Sequence, residues 1–168
     1  FVFYMNEIYV KRINDVVKNK VLLEKTLDVK ITFLGRKIYF EGESINEYEA
    51  EKVFEAIRFG FSAKKSLLLK NEDYIFKIIH IKEFTKRNLK DVRARLIGTK
   101  GKTRKTISEI SDCEVLIKDS EVGIIGFTDG VDKVSVAVIN IIRGSKQANA
   151  YRYLERRNRE EKKFGSGF

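Results

Sequence analysis

Shifted by 84 residues, the sequence overlays itself without a gap. Gly42 meets Gly126, Ser44 meets Thr128, Ala50 meets Val134, Ile57 meets Ile141 and Gly60 meets Gly144. Upstream, Ile13 meets Ile97, Asp28 meets Asp112, Ile31 meets Val115, Phe33 meets Ile117 and Ile38 meets Val122. Identities are few, but the apolar positions and the glycines that end helical stretches coincide. A fixed-period repeat is the mark of a duplicated structural unit, and 168 residues suffice for one ordinary domain or two small ones. The economical reading is two copies of one α/β unit.

Each copy reads locally as β-α-α-β-β-α. In the second, Tyr74–Ile81 is rich in β-formers and predicts a strand. Leu89–Ile97 predicts a basic helix, which Gly98-Thr99-Lys100-Gly101 interrupts, and Lys102–Ile110 resumes helical spacing. Glu114–Ile117 and Val122–Phe127 predict a hairpin turning at Asp119-Ser120. Thr128 reads as the N-cap of a helix Val131–Ile142, stopped by Gly144. In the first copy the strand is expected at Phe1–Met5. Asn6 would cap a helix to Ile13, and Lys18–Thr26 would form another. Val29–Phe33 and Lys37–Phe40 pair across Gly35-Arg36, and Ser44 caps a helix from Ile45 to Phe59. The expected boundaries are a first domain at 1–61, a connecting helix at 62–73, a second domain at 74–146 and a basic helix with a frayed tail at 147–168. No Pro-rich or Gly/Ser linker separates the copies, which predicts domains packed together rather than loosely strung.

Charge narrows the partner. The chain carries +10, and residues 82–106 hold ten Lys/Arg against Glu83 and Asp91, a local net of +8. A cationic segment so concentrated is a candidate phosphate-facing patch. The chain is 43% hydrophobic, which supports a buried core. No apolar run approaches the ~18 residues of a membrane span, and Phe1–Met5 lacks the basic leader and cleavage site of a signal peptide. One cysteine, Cys113, rules out an internal disulfide framework and fits a reducing cytosol. A cytoplasmic protein is expected.

The Gly98–Gly101 loop has a physical role. Glycines let a backbone turn tightly and let phosphates approach where no Cβ stands, and the following helix aims its N–H groups and positive dipole end at the same place. Lys102, Arg104 and Lys105 begin that helix, while Thr99 and Lys100 add a hydroxyl and an ammonium. Such a loop holds the backbone of a single-stranded nucleic acid while bases rest in an apolar groove, expected here from Leu96, Ile97, Ile107, Val115 and Ile117. Arg93 and Arg95 flank it. Arg152 and Arg156 in the tail, beside Tyr151 and Tyr153, extend the candidate RNA-binding set.

In that context Gly98–Gly101 resembles the loop of a type I KH domain. The run from Arg95 through Ile107 is similar to the second KH domain of the archaeal and eukaryotic small-subunit ribosome-assembly family called partner of Nob. Arg143-Gly144-Ser145 and Tyr151–Arg156 resemble that family's C-terminal end. The resemblance implies two tandem type I KH domains, each a three-stranded antiparallel sheet with three helices on one face. It implies binding to the 3′ end of small-subunit rRNA beside the endonuclease that trims it and among other assembly factors. Neither catalysis nor a cofactor is implied. Two other readings stay open: a general KH regulator of mRNA or small RNA, and a protein-docking adaptor with incidental RNA binding.

The first copy departs from the pattern. Under the offset, Gly98–Gly101 falls on Asn14-Asp15-Val16-Val17, which has no glycine and carries an acid that would repel phosphate. A scaffolding role is expected there. His80 has no second histidine for a triad or metal site, and Cys113 is expected to be a small apolar residue. Glu47, Glu51 and Glu55 share a solvated helix face. Phe54, Phe59, Phe61 and Tyr48 recur at helical spacing and are expected in a core or interface.

Overall fold

The computed structural model of the chain describes residues 6–165, and these fold as two mixed α/β units, the first up to Phe76 and the second from Lys77. The expected strand at Phe1–Met5 lies outside the described residues.

In the first unit, β1 (Asn6–Tyr9), β2 (Lys30–Leu34) and β3 (Lys37–Glu41) form a sheet in the order β1-β3-β2, with β3 antiparallel to both neighbours. Helices α1 (Ile13–Lys18), α2 (Lys20–Leu27) and α3 (Ser44–Phe59) accompany it. The core is Ile8, Val16, Leu23, Leu27, Ile31, Ile38, Phe40, Val53 and Phe54, with the Phe40 and Phe54 rings 4.8 Å apart. The segment expected to connect the copies lies within this unit as α4 (Ala63–Ser66) and a 3-10 turn at Leu67–Lys70. Ser62 caps α4 by accepting from Lys65 N. Phe59 and Phe61 stack at 5.8 Å, and both meet Phe76 edge-on.

Several local expectations need correction. Asn6 begins a strand and caps no helix, because Asn6–Tyr9 pairs with Lys37–Phe40 and buries Ile8 beneath the sheet. The Asn6 amide donates instead to Glu47 Oε2 at 3.0 Å. Ser44 is the first helical residue of α3 and makes no side-chain cap; Glu47 Oε1, one turn in, accepts from Gly42 N at 3.0 Å. Thr128 is likewise inside its helix, with Phe127 at the cap position and no side-chain cap. Tyr48 is 59% exposed, outside the core, and Lys52 lies over its ring at 4.3 Å.

Asn14–Val17 lie inside α1, and the break between α1 and α2 falls at Asn19. Val16 is wholly buried, and Asp15 accepts from Ala63 N at 2.7 Å. Asp15 therefore ties α1 to the start of α4. Replacing it with Ala should lower stability by about 1 kcal/mol, the typical loss for a capping carboxylate, as read from urea unfolding.

The second unit contains most of β4 (Tyr74–His80), then α5 (Leu89–Ile97), α6 (Lys102–Ser111), β5 (Glu114–Lys118), β6 (Glu121–Phe127), α7 (Thr128–Ile142) and α8 (Gln147–Gly165). Its sheet runs β4-β6-β5, with β5 and β6 antiparallel through a turn where Asp119 has φ 51°. The 84-residue offset holds closely from α2 onward: β2 maps onto β5 residue for residue, and α3 starts where α7 starts. Leu23 and Ile107, Ile31 and Val115, Ile38 and Val122, Phe40 and Ile124, and Ile57 and Ile141 are buried in both copies. Asp28 and Asp112 close α2 and α6 in the left-handed conformation, φ 52° and 56°, which Asp tolerates better than most side chains. Before α2 the register is lost, because the second unit spends more residues between β4 and α6. The C-terminal helix docks on α6 and α7. It buries Ala150 and Leu154, Asn158 donates to Ile110 O at 2.7 Å, and Glu161 pairs with the buried Lys133.

Candidate nucleic-acid interface

Helix α5 ends at Gly98, whose N–H donates to Ala94 O at 2.8 Å and whose φ is 76°. A Cβ at Gly98 would stand 2.7 Å from Thr103 N and 2.8 Å from Thr103 Cβ, and closer still to Thr103 Oγ1. Glycine is required there on both counts. Thr99–Gly101 make a single 3-10 turn, in which Lys100 is left-handed at φ 54° and Gly101 N donates to Gly98 O at 3.1 Å. Gly101 is left-handed too, at φ 76°, with open space where a Cβ would be.

Helix α6 begins directly after it with no side-chain cap. Lys102 N–H donates to Thr99 O, the N–H groups after it have no side-chain cap, and the helix dipole adds roughly half a positive charge at that end. Thr99, Lys100 and Lys102 are exposed around this end. Lys105 is exposed as well, 4.0 Å from Glu109.

The predicted site residues separate into distinct places. Leu96, Ile107 and Val115 are buried, so they shape the floor under the loop and do not present apolar surface; the helix–sheet core needs them there. Ile97 and Ile117 are half-buried. Arg104 is half-buried, and its Nη1 donates to Val115 O at 3.3 Å, on the edge strand β5. Arg95 turns away from the loop: its guanidinium donates to Ile141 O, in the last turn of α7, at 3.1 Å and to Ser145 O, just past that helix. Basic side chains suit a helix C-terminus, where carbonyls are unpaired and the dipole is negative. The +8 segment thus serves two ends of the unit, part at the loop and part at α7. Arg93 is half-buried, with an Nε that is buried and unpartnered among the described residues.

Arg152 and Arg156 lie on the exposed side of α8. Arg152 bonds Asn149 Oδ1 at 2.8 Å, and Arg156 stands over the Tyr153 ring at 5.9 Å. Sequence reasoning passed over Thr103, buried under Gly98 and the reason that position admits no side chain. Its only sequence signal is its place just inside the helix that follows the loop.

The remaining reactive groups stay structural. Cys113 is buried beside Gly126 and Gly130, and burial pushes its thiol above the usual range. His80 pairs with Glu121 at 3.6 Å. Among the described residues no cluster of His, Cys, Asp and Glu could hold a metal ion, and no helix is long and apolar enough to cross a membrane.

A β-α-α-β-β-α unit whose first two helices meet at an uncapped, cation-flanked Gly-x-x-Gly is a KH-type module, the class that clamps single-stranded nucleic acid by its backbone. The PNO1-type second-KH-domain family, described as "Eukaryotic type KH-domain (KH-domain type I)", matches residues 75–159. The chain belongs to this KH-domain family, which is one of RNA-binding modules and not of enzymes.

A similar solved structure is Dim2p from Pyrococcus horikoshii OT3, 32% identical, covering 90% of this chain and 99% of that one, with a TM-score of 0.77. An a/eIF2alpha–aDim2p–rRNA complex from the same organism matches at 30% identity and a TM-score of 0.79, covering 95% of this chain and 97% of that one. A protein of unknown function from Aeropyrum pernix matches at 28% identity and a TM-score of 0.81, covering 97% and 96%. The KH domain-containing protein MJ0443 of Methanocaldococcus jannaschii is 26% identical over 145 residues, 85% of this chain; the chain spans 63% of that relative's length.

Proposed function

We propose that this chain is a small-subunit ribosome-assembly factor of two tandem type I KH domains, the first lacking a clamp, in which the second clamps single-stranded rRNA near its 3′ end. The observation that carries this reading is the N-terminus of α6, without a side-chain cap, directly after a Gly-x-x-Gly whose two glycines have positive φ, and among the exposed Thr99, Lys100 and Lys102. Its clamp comprises Gly98–Gly101 with Lys102 and Lys105, over a floor of Leu96, Ile97, Ile107, Val115 and Ile117. The similarity to an aDim2p seen with rRNA supports the substrate class. An rRNA-trimming endonuclease and other assembly factors are the proposed protein partners, in the cytoplasm and with no cofactor. Recovering the RNA bound to the purified protein and sequencing it tests this function. Enrichment of small-subunit rRNA 3′ ends is expected. Scattered transcripts would indicate a general regulator instead, and little RNA a docking adaptor.

The two units should also contribute unequally. Lys18→Glu with Lys20→Glu, in a unit without a Gly-x-x-Gly, should weaken binding to a single-stranded RNA by only a few-fold through the general field. Lys102→Glu with Lys105→Glu should cost about a hundredfold at the same salt. Lys105 serves better than Arg104 here, because Arg104 also braces β5. Equal losses in a side-by-side titration would contradict the division of labour.

A further inference from the structure

At the other end of α5 from the Gly98–Gly101 loop, the second unit builds another cationic cleft. A cavity of about 290 Å³ is lined by Ile81, Lys82, Thr85, Lys86, Arg87 and Leu89. Ile81 is buried and Leu89 half-buried, while Lys82, Lys86 and Arg87 are exposed. The loop that carries them is held at several points. Ile81 N donates to Ser120 O at 2.9 Å, Phe84 N to Ile81 O at 3.1 Å, and Arg87 N to Thr85 Oγ1 at 3.1 Å. Asn88 caps α5 by accepting from Lys90 N and Asp91 N.

Two arginines lie at the end of α7. The Arg143 guanidinium lies 5.5 Å from the Phe84 ring centre. Arg87 packs so closely on Gly144 that a Cβ there would stand 2.7 Å from its Nη2 and 2.8 Å from its Cζ. Glu83 lies within the loop and Asp91 in the first turn of α5, where the helix dipole favours it, while Asp119 and Glu121 flank the Ser120 that receives the Ile81 hydrogen bond, Glu121 paired with His80. Among the described residues, Lys82, Lys86 and Arg87 take part in no ion pair.

A track joins this cleft to the loop. Leu89, Arg93 and Ile97 follow one another at intervals of four and share one stripe of α5. It runs from the cleft lining, past the unpartnered Nε of Arg93, to the residue before Gly98. Nine helical residues rise about 13 Å, a distance an extended strand crosses within a few nucleotides.

We infer that the cleft holds backbone phosphates of the same RNA strand beyond the nucleotides clamped at Gly98–Gly101, so that the footprint runs the length of α5. The inference rests on the clamp reading above. Its test titrates two variants, Lys82→Gln/Lys86→Gln/Arg87→Gln and, since Arg87 packs on Gly144, Lys82→Gln/Lys86→Gln alone. Each is titrated with a single-stranded tetranucleotide, the length a KH clamp holds, and with an RNA of about twelve nucleotides, across a range of salt. Each phosphate contact adds about 0.7 to the log–log salt slope. On the longer RNA the triple variant's slope should be shallower by about 2 and the double variant's by about 1.4, with tetranucleotide binding unchanged. Equal losses on both RNAs would reduce the cleft to a general field and overturn the inference. No loss on either would overturn it too, leaving the cations to an acidic protein surface. Thr99→Asp/Lys100→Asp protein is run in parallel. If it binds both RNAs undiminished, the clamp reading fails by itself, and loss on the longer RNA in the triple variant would still support the cleft as a phosphate site.

Discussion

Protein carrying Thr99→Asp and Lys100→Asp should fold as the unchanged chain does and lose single-stranded RNA binding by about a hundredfold or more. Both residues are exposed, so no core contact is disturbed. Lys100 is left-handed at φ 54°, a conformation in which Asp is enriched, so the backbone tolerates the change. The cost falls on the ligand. Two carboxylates would face phosphates at the N-terminal end of α6, and each like-charge contact near 4 Å costs from about 1 kcal/mol in bulk water to about 4 kcal/mol at a protein surface. A total near 3 kcal/mol is about a hundredfold in Kd. Urea unfolding and an RNA titration on one preparation check it. Retained affinity with an intact transition would remove the clamp assignment.

Gly98→Ala should be the most damaging single-methyl change in the loop, lowering stability by about 3 kcal/mol, whereas Gly101→Ala should cost about 1 kcal/mol. The two glycines share a φ of 76° but differ in ψ, 172° at Gly98 against 12° at Gly101, and in what surrounds them; the Gly98 combination is one that only glycine adopts readily. At Gly98 the added Cβ meets Thr103 Oγ1, N and Cβ. Thr103 is buried in the first turn of α6 and has nowhere to move. At Gly101 the space is open, so only the left-handed backbone is penalised. Denaturant midpoints for the two variants decide the matter. Equal destabilisation would mean that neither the Gly98–Thr103 contact nor the Gly98 backbone conformation is what fixes the loop.

The repeat was legible because it lies in the spacing of core positions. Ile31 and Val115, Ile57 and Ile141, and the aspartates that close α2 and α6 recur where the fold needs them. The loop was legible because glycine at two positive-φ positions has few substitutes. Legibility failed where the chain answers to distant partners. Asn6–Tyr9 is a strand because β3 lies beside it, and four residues carry too little periodicity to show that. The offset placed Asn14–Val17 in a loop, since a gapless shift cannot register the extra residues between β4 and α6. Arg95 and Arg104 were expected at phosphates from their charge, their place beside the loop and the family resemblance; the sequence does not show that Ile141, Ser145 and Val115 carbonyls take their hydrogen bonds. Burial of Leu96, Ile107 and Val115 is set by the packing of α5 and α6 on the sheet, which apolar character by itself does not distinguish from a groove wall.

Photocrosslinking the full chain to a single-stranded fragment of small-subunit rRNA 3′ end, followed by peptide mapping of the adducts, tests the central claim most directly. The account predicts adducts concentrated in residues 96–105, lost when Thr99 and Lys100 are Asp. Adducts confined to residues 6–70, or unchanged in that variant, would contradict it.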